Sequence, residues 1–183
     1  MTSVVFITGA SSGIGLALAE HYARTGATLG LAARRADRLA ELAATLRTLG
    51  ASAVHSYPLD VADAPALAAA AQDFIAHCGA PDIVVASAGV SSGTLTACPE
   101  DLAAIRRIFD INVYGMAATF SPFIAAMKAE VTSGRALRLV GIASVAGIRG
   151  LPGAEAYSAS KAATIAYLES LRATGPMGEK MVK

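Results

Sequence analysis

The amino-acid sequence predicts an α/β chain folded as a doubly wound parallel sheet, and three features carry that expectation. Apolar runs of strand length alternate with helix-patterned stretches along the chain. That alternation implies right-handed βαβ crossovers with helices on both faces of one sheet. The first run, Val4-Val5-Phe6-Ile7, is wholly apolar, which suits a strand buried on both faces. It opens into Thr8-Gly9-Ala10-Ser11-Ser12-Gly13-Ile14-Gly15, a glycine-rich turn that runs into a helix. The expected strand order is 3-2-1-4-5, with a crevice beyond the carboxyl ends of strands one and four, where the order reverses.

Each element follows from local signals. Leu16 to Ala23 has helical composition, and Thr25-Gly26-Ala27 ends it. Thr28 to Ala33 reads as the second strand, and Ala36 to Leu49 as a helix with Leu39, Leu42, Leu46 and Leu49 on one face. Ala53 to Leu59 is a third, more polar strand. Asp63 is placed to cap the next helix, with Pro65 in its first turn, and that helix reaches about Cys78. Asp82 to Ala86 is the fourth strand, and Ser91 to Ala97 is loop. Pro99 begins a helix that reaches about Asn112, and Val113 to Val131 continues as apolar helix with a candidate kink at Pro122. Ala136 to Ala143 is the fifth strand, Ser144 to Ala154 a glycine-containing loop, and Glu155 to about Arg172 the last helix.

Bulk properties narrow the classes of function. The chain has 183 residues, enough for one domain with a real core, so residues 1–183 read as a single domain with an atypical tail at 173–183. Hydrophobic residues make up 54% and charged residues 16%, and the apolar excess is mostly alanine. No window reaches the ~18 uninterrupted apolar residues of a membrane span, and the start lacks the basic region of a signal peptide. A net charge of +1 points away from nucleic acid or anionic membranes as partners. Cys78 and Cys98 lack metal spacing and read as reduced thiols. His21, His55 and His77 have no acidic or cysteine companions, so no metal site is expected. The expected compartment is the cytoplasm.

The glycine loop is the first chemical signal. A strand, a glycine-rich turn and a helix N-terminus together offer unpaired N–H groups and a positive dipole to a phosphate. The spacing of Gly9, Gly13 and Gly15 is G-x-x-x-G-x-G, which is neither G-x-G-x-x-G nor the Walker pattern. Alone it leaves open an ordinary strand–helix turn that happens to be rich in glycine. The end of the second strand adds to it. An acidic residue about 20 positions after such a motif would hold a ribose 2′-hydroxyl. Here Ala33 is followed by Arg34 and Arg35, whose guanidiniums suit a 2′-phosphate and sit poorly at a helix start unless an anion joins them. The expected cofactor is therefore NADP(H), with NAD(H) second.

The second signal lies in Tyr157-Ser158-Ala159-Ser160-Lys161. Tyr157 and Lys161 are four apart and share a helix face. A nearby ammonium favours a phenolate, and such a tyrosine can give a proton to a carbonyl oxygen or take one from an alcohol. Ser144, on the loop after strand five, can hydrogen-bond the same oxygen. Taken alone, Tyr-x-x-x-Lys also fits a surface aromatic beside a solvated lysine.

Together these residues resemble the short-chain dehydrogenase/reductase family, and the likeness runs from about Val4 to Arg172. Thr8 to Gly15 is similar to its T-G-x-x-x-G-x-G cofactor motif. Asp60-Val61 resembles the pair that flanks the adenine ring. Asn112 in Asp110-Ile111-Asn112-Val113 resembles the helix asparagine whose backbone anchors a water leading to the lysine. Ser144 stands thirteen residues before Tyr157, a spacing the family uses. The resemblance implies a Rossmann fold and a catalytic tetrad of Asn112, Ser144, Tyr157 and Lys161. Tyr157 would be the acid–base group, Lys161 would lower its pKa and hold the nicotinamide ribose, and Ser144 would orient the substrate oxygen. The implied cofactor-binding residues are Gly9, Ser11, Ser12, Gly13, Ile14, Gly15, Arg34, Arg35, Asp60, Val61, Ser87, Ala88 and Gly89, with Tyr157 and Lys161. The implied reaction moves a hydride between NADP(H) and a small carbonyl or alcohol substrate in a homodimer or homotetramer.

Two departures stand out. The family's N-N-A-G after strand four appears as Ala86-Ser87-Ala88-Gly89, without either asparagine amide. The family also continues past the helix that ends near Arg172 with a sixth strand, a loop against the nicotinamide, a substrate lid and usually a seventh strand. Here eleven residues, Ala173 to Lys183, follow instead. The expectation from that difference is a truncated or altered relative, with strand five as an open edge. The alternative function is then a catalytically impaired nucleotide-binding or interaction module.

Overall fold

The computed structural model describes residues 2–131 and 134–174. Five parallel strands lie in the order β3-β2-β1-β4-β5, as the alternating pattern predicts. They are β1 (Val4–Thr8), β2 (Thr28–Ala33), β3 (Ala53–Pro58), β4 (Ile83–Ala86) and β5 (Arg138–Gly141). The helices are α1 (Gly13–Arg24), α2 (Ala36–Thr48), α3 (Ala64–Cys78), α4 (Leu102–Phe109), α5 (Gly115–Ala129) and α6 (Glu155–Thr174). Among the described residues β3 and β5 form the sheet edges. The tail from residue 175 onward lies outside the described residues.

Strand β1 shows why both faces are apolar. Val5 and Ile7 point into a core shared with Leu29, Leu31, Leu39 and Leu46, which brings α1 and α2 onto one face. Phe6 points the other way, among Phe74, Phe120, Phe123 and Met127 of α3 and α5. All of these side chains are buried, and such residues contribute roughly 1.5–3 kcal/mol each when removed from water. The Phe6 ring meets Phe74 edge-on with centroids 5.4 Å apart and lies 4.8 Å from Phe123. Gly30, which faces Phe6 across the β1–β2 pair, leaves the space these rings fill: a Cβ there would lie 2.5 Å from Phe6 and 2.8 Å from Phe74.

Several boundaries differ from the sequence expectation, each for a local reason. The fourth and fifth strands are shorter than expected because only Ile83–Ala86 and Arg138–Gly141 pair in register. Asp82 stands just before β4 and ties the strand starts together: its backbone bonds to the Val4 carbonyl and the Arg138 N–H, and its carboxylate accepts from the Val4 N–H at 2.7 Å and from Arg135 Nε at 2.9 Å. Asp63 caps α3 as expected, accepting from the Ala66 N–H at 3.0 Å. Pro99 opens a 3₁₀ turn that leads into α4. The helix does not stop near Asn112. A π turn over Asp110–Tyr114 carries α4 directly into α5, which runs through Pro122. The stretch Pro99–Ala129 is therefore long and apolar enough, by length and composition, to match a membrane span. Its Ile108, Phe120, Phe123 and Met127 are instead buried in the protein core.

Candidate active site

The chain passes from β1 to β2 to β3 on one side of the sheet and then crosses to β4, so Thr8 and Ala86 end neighbouring strands where the direction reverses. The loops after those two residues frame a cleft of about 560 Å³, within the ~300–1,000 Å³ of ligand sites. Gly9, Ser11, Ser12, Gly13 and Ile14 line one wall, Arg34, Arg35, Asp60 and Val61 the end beyond β2 and β3, and Ser87, Ala88 and Gly89 the side beyond β4. Twelve of the thirteen residues expected to hold the cofactor through the glycine loop and strand ends are therefore in one place. The exception is Gly15, which is buried behind the loop; a Cβ there would lie 2.4 Å from the Gly9 carbonyl oxygen.

The two walls are locked to each other. Gly9 has φ +69°, and a Cβ on it would lie 2.7 Å from the Ala88 backbone, so only glycine permits this approach. Thr8 Oγ1 donates to the Val85 carbonyl at 3.4 Å and accepts from the Ala88 N–H at 3.5 Å.

The two arginines have different roles. The Arg35 guanidinium donates to the carbonyl and the hydroxyl of Ser11, at 3.3 and 3.1 Å, and so braces the glycine loop. Arg34 has no hydrogen bond or ion pair among the described residues and lies exposed in the cleft wall. Its charge is one of those acting on Asp60. Asp60 accepts from the Ala62 N–H at 3.0 Å and is ion-paired with Arg107. Burial pushes its carboxyl pKa up, but those two hydrogen bonds and the charges of Arg107 and Arg34 hold it below the ordinary carboxylate value.

At the other end, α6 presents Tyr157 and Lys161. Lys161 is only 5% exposed. Its Nζ donates to the carbonyl of Ile142, a cleft-lining residue, at 2.7 Å and lies 5.8 Å from the centroid of the Tyr157 ring. Burial pushes the ammonium pKa below its ordinary value. The Tyr157 hydroxyl has no hydrogen-bond partner among the described residues. Ser144 caps a 3₁₀ turn over Val145–Gly147, where its Oγ accepts from the Ala146 N–H at 3.2 Å. Accepting that bond leaves its own proton free to donate. Ser144, Tyr157, Lys161 and Asn112 are not themselves among the residues lining the cleft. Asn112 and Lys161 adjoin it at Gly89, where a Cβ would lie 3.4 Å from Asn112 Oδ1 and 3.7 Å from Lys161 Nζ.

Residues 3–176 match the family model described as short chain dehydrogenase. The chain belongs to that family. It is 40% identical over 172 residues to the 11-beta-hydroxysteroid dehydrogenase-like 2 protein of Arabidopsis thaliana, covering 92% of this chain and 53% of that one. The alcohol dehydrogenase of the archaeon Thermococcus sibiricus, solved with 5-hydroxy-NADP, has TM-score 0.86 and 28% identity, covering 96% of this chain and 72% of that one. A short chain dehydrogenase/reductase of Burkholderia phymatum, solved with NAD, has TM-score 0.87 and 31% identity, covering 98% and 63%. The chain thus spans about half the length of the curated relative it matches.

Within this short chain dehydrogenase fold, several supporting residues escape a reading of motifs. Asn112 is buried, and its side chain reaches Val90 and the Ser160 hydroxyl. Ser160 donates onward to the Tyr157 carbonyl at 2.7 Å. Ser158 accepts from the Leu151 N–H at 3.0 Å and pins the loop before α6. Thr94, buried, accepts from the Ala156 N–H at 3.2 Å, and Glu155 takes hydrogen bonds from the Thr96 N–H and hydroxyl. A motif reading passes over the two serines as the spacers between Tyr157 and Lys161; their small hydroxyls at the start of α6 were the available signal, since a buried hydroxyl needs a partner. Thr94 carried no such signal, because nothing local says that residues 94–96 fold back on α6.

Proposed function

We propose that the chain is an NADP(H)-dependent short-chain oxidoreductase acting on a carbonyl or alcohol group of a small organic molecule. The observation that carries this reading is one cleft with an unpaired Arg34 at one end and the Tyr157–Lys161 pair beside the other. The residues fit a dinucleotide. The glycine loop and the start of α1 offer backbone N–H groups to a pyrophosphate, and Ser87, Ala88 and Gly89 line the cleft beyond β4. Arg34 would hold a 2′-phosphate and Asp60 with Val61 the adenine. When bound, the nicotinamide supplies or accepts the hydride.

The chain's own residues handle the proton. Tyr157 Oη gives it to the substrate oxygen in reduction and takes it back in oxidation. Lys161, whose ammonium is buried and has the Ile142 carbonyl as acceptor, supports the phenolate form and retains donors for a ribose. Ser144 donates to the same substrate oxygen. Asn112 holds the frame. The loop beyond Ser144 exposes Val145 by 77% and Ile148 by 81%, together with Leu151. Such a rim favours an apolar substrate body over a charged one.

Purified protein is expected to oxidise NADPH with some member of an aldehyde and ketone panel, and Tyr157→Phe is expected to abolish turnover while retaining binding. NADPH binding without turnover on any substrate would favour the nucleotide-binding module instead. Tighter binding of NADH than NADPH would reject the cofactor choice. We further propose a homodimer or homotetramer in the cytoplasm, using the face that exposes Leu102 and Tyr114. A monomer by light scattering would overturn that assembly.

A further inference from the structure

Arg107 has no place in the machinery described so far. It lies on α4, 47 residues from Asp60 in sequence, and its guanidinium reaches the Asp60 carboxylate. Arg107 does not itself line the cleft, whereas Asp60 does, so the arginine stands behind the carboxylate. One Asp60 oxygen takes the Ala62 N–H and the other takes Arg107. At 43% and 30% side-chain exposure, such a pair adds little to stability. Its position gives it a different use.

Asp60 and Arg34 share the same cleft and feel each other's charge. Two neighbours in sequence are committed elsewhere, Arg35 to Ser11 and Arg106 to Asp110. An unneutralised Asp60 would do two things to an incoming phosphate dianion. It would draw Arg34 toward itself, and it would repel the dianion across a partly desolvated gap. Neutralising that one carboxylate from behind removes both effects.

We propose that Arg107 is a positioning residue that sets selectivity for a 2′-phosphate: by holding and neutralising Asp60, it leaves Arg34 free to bind the phosphate. This inference rests on the NADP(H) reading above.

The test uses the full chain and two probes that differ only in the 2′-phosphate, adenosine 2′,5′-bisphosphate and adenosine 5′-monophosphate, titrated by calorimetry. Arg107→Leu is expected to weaken the bisphosphate roughly tenfold and the monophosphate less than about threefold. Arg107→Lys retains most of the discrimination. Adding Asp60→Asn to Arg107→Leu restores it, because the stray carboxylate is gone. Equal weakening of both probes, no change in either, or failure of Asp60→Asn to restore the ratio overturns the proposal. Should Arg107→Leu lose its cooperative melt, Arg107→Gln carries the same comparison. The parent reading fails separately and visibly: wild-type protein would then bind the two probes equally, or bind neither.

Discussion

Asn112 and Val90 hold each other by two hydrogen bonds: the Val90 N–H donates to Asn112 Oδ1 at 2.8 Å, and Asn112 Nδ2 donates to the Val90 carbonyl at 2.9 Å. The same Nδ2 reaches Ser160 Oγ at 3.0 Å. One buried amide therefore joins the loop after β4, the α4–α5 run and α6. Asn112 sits inside the π turn and is buried there, and such turns are a common feature of functional sites. Asn112→Ala removes every one of these bonds at a site buried from solvent. It is expected to cost about 2–4 kcal/mol of unfolding free energy in urea. A loss below about 0.5 kcal/mol would show that the clamp carries little load.

Lys161 works against stability. Its ammonium is buried with one hydrogen bond, to the Ile142 carbonyl, and no carboxylate partner among the described residues. Its folded pKa lies below the ordinary 10.5, so between those two values the unfolded chain binds the extra proton and stability rises with pH. The cost is fully present below the folded pKa and disappears above 10.5. Lys161→Met should therefore stabilise the protein by about 1 kcal/mol at pH 7 while weakening dinucleotide binding. The gap to wild type should close as pH rises toward 10.5. Tyr57 and Tyr167, pushed up by burial, act in the opposite sense in alkali, which makes the difference between the two proteins the quantity to measure. A variant less stable than wild type at pH 7 would contradict this account.

Arg35 braces the glycine loop through Ser11, whereas Arg34 is proposed to bind the 2′-phosphate. Arg34→Ala removes a guanidinium with no protein partner. It should lower NADPH affinity by roughly ten- to a hundredfold, leave NADH affinity nearly unchanged and leave the melting temperature within about one degree. Arg35→Ala releases Ser11 and should weaken both dinucleotides by similar factors. Identical selectivity profiles for the two variants would show that the arginines share one role.

The strand order, the glycine loop and the placement of Arg34 and Asp60 were legible because each depends on short-range pattern plus one topological rule. Val4 to Ile7 announces a doubly buried strand, and a right-handed crossover then determines which strand ends meet. The π turn was not legible, since Asp110 to Tyr114 continues an ordinary helical pattern. The split between Arg34 and Arg35 was likewise hidden: adjacent arginines look equivalent until Ser11, 24 residues away in sequence, captures one of them. The roles of Ser158 and Ser160 were not read either, because the partners of their hydroxyls, Leu151, Asn112 and the Tyr157 carbonyl, are supplied by packing.

Gly147 sets how closely the Ser144 turn lies on α6. A Cβ at this position would lie 2.6 Å from the Lys161 carbonyl carbon and oxygen and 2.8 Å from the Ala162 nitrogen. All three are backbone atoms of a helix, so they cannot swing aside as a side-chain tip would. Gly147→Ala must therefore push the turn that carries Ser144 away from the segment that carries Lys161. The expected stability cost is about 1–3 kcal/mol. The more telling effect is geometric: under the proposed reading Ser144 and Tyr157 would act on one substrate oxygen, and a displacement of even about 1 Å between such groups can reduce kcat roughly a hundredfold. Adenosine 2′,5′-bisphosphate, which contacts only the far end of the cleft under the proposed reading, should bind the variant as it binds wild type. Loss of that binding would mean that the substitution disturbs the whole cleft and that Gly147 is a general packing position.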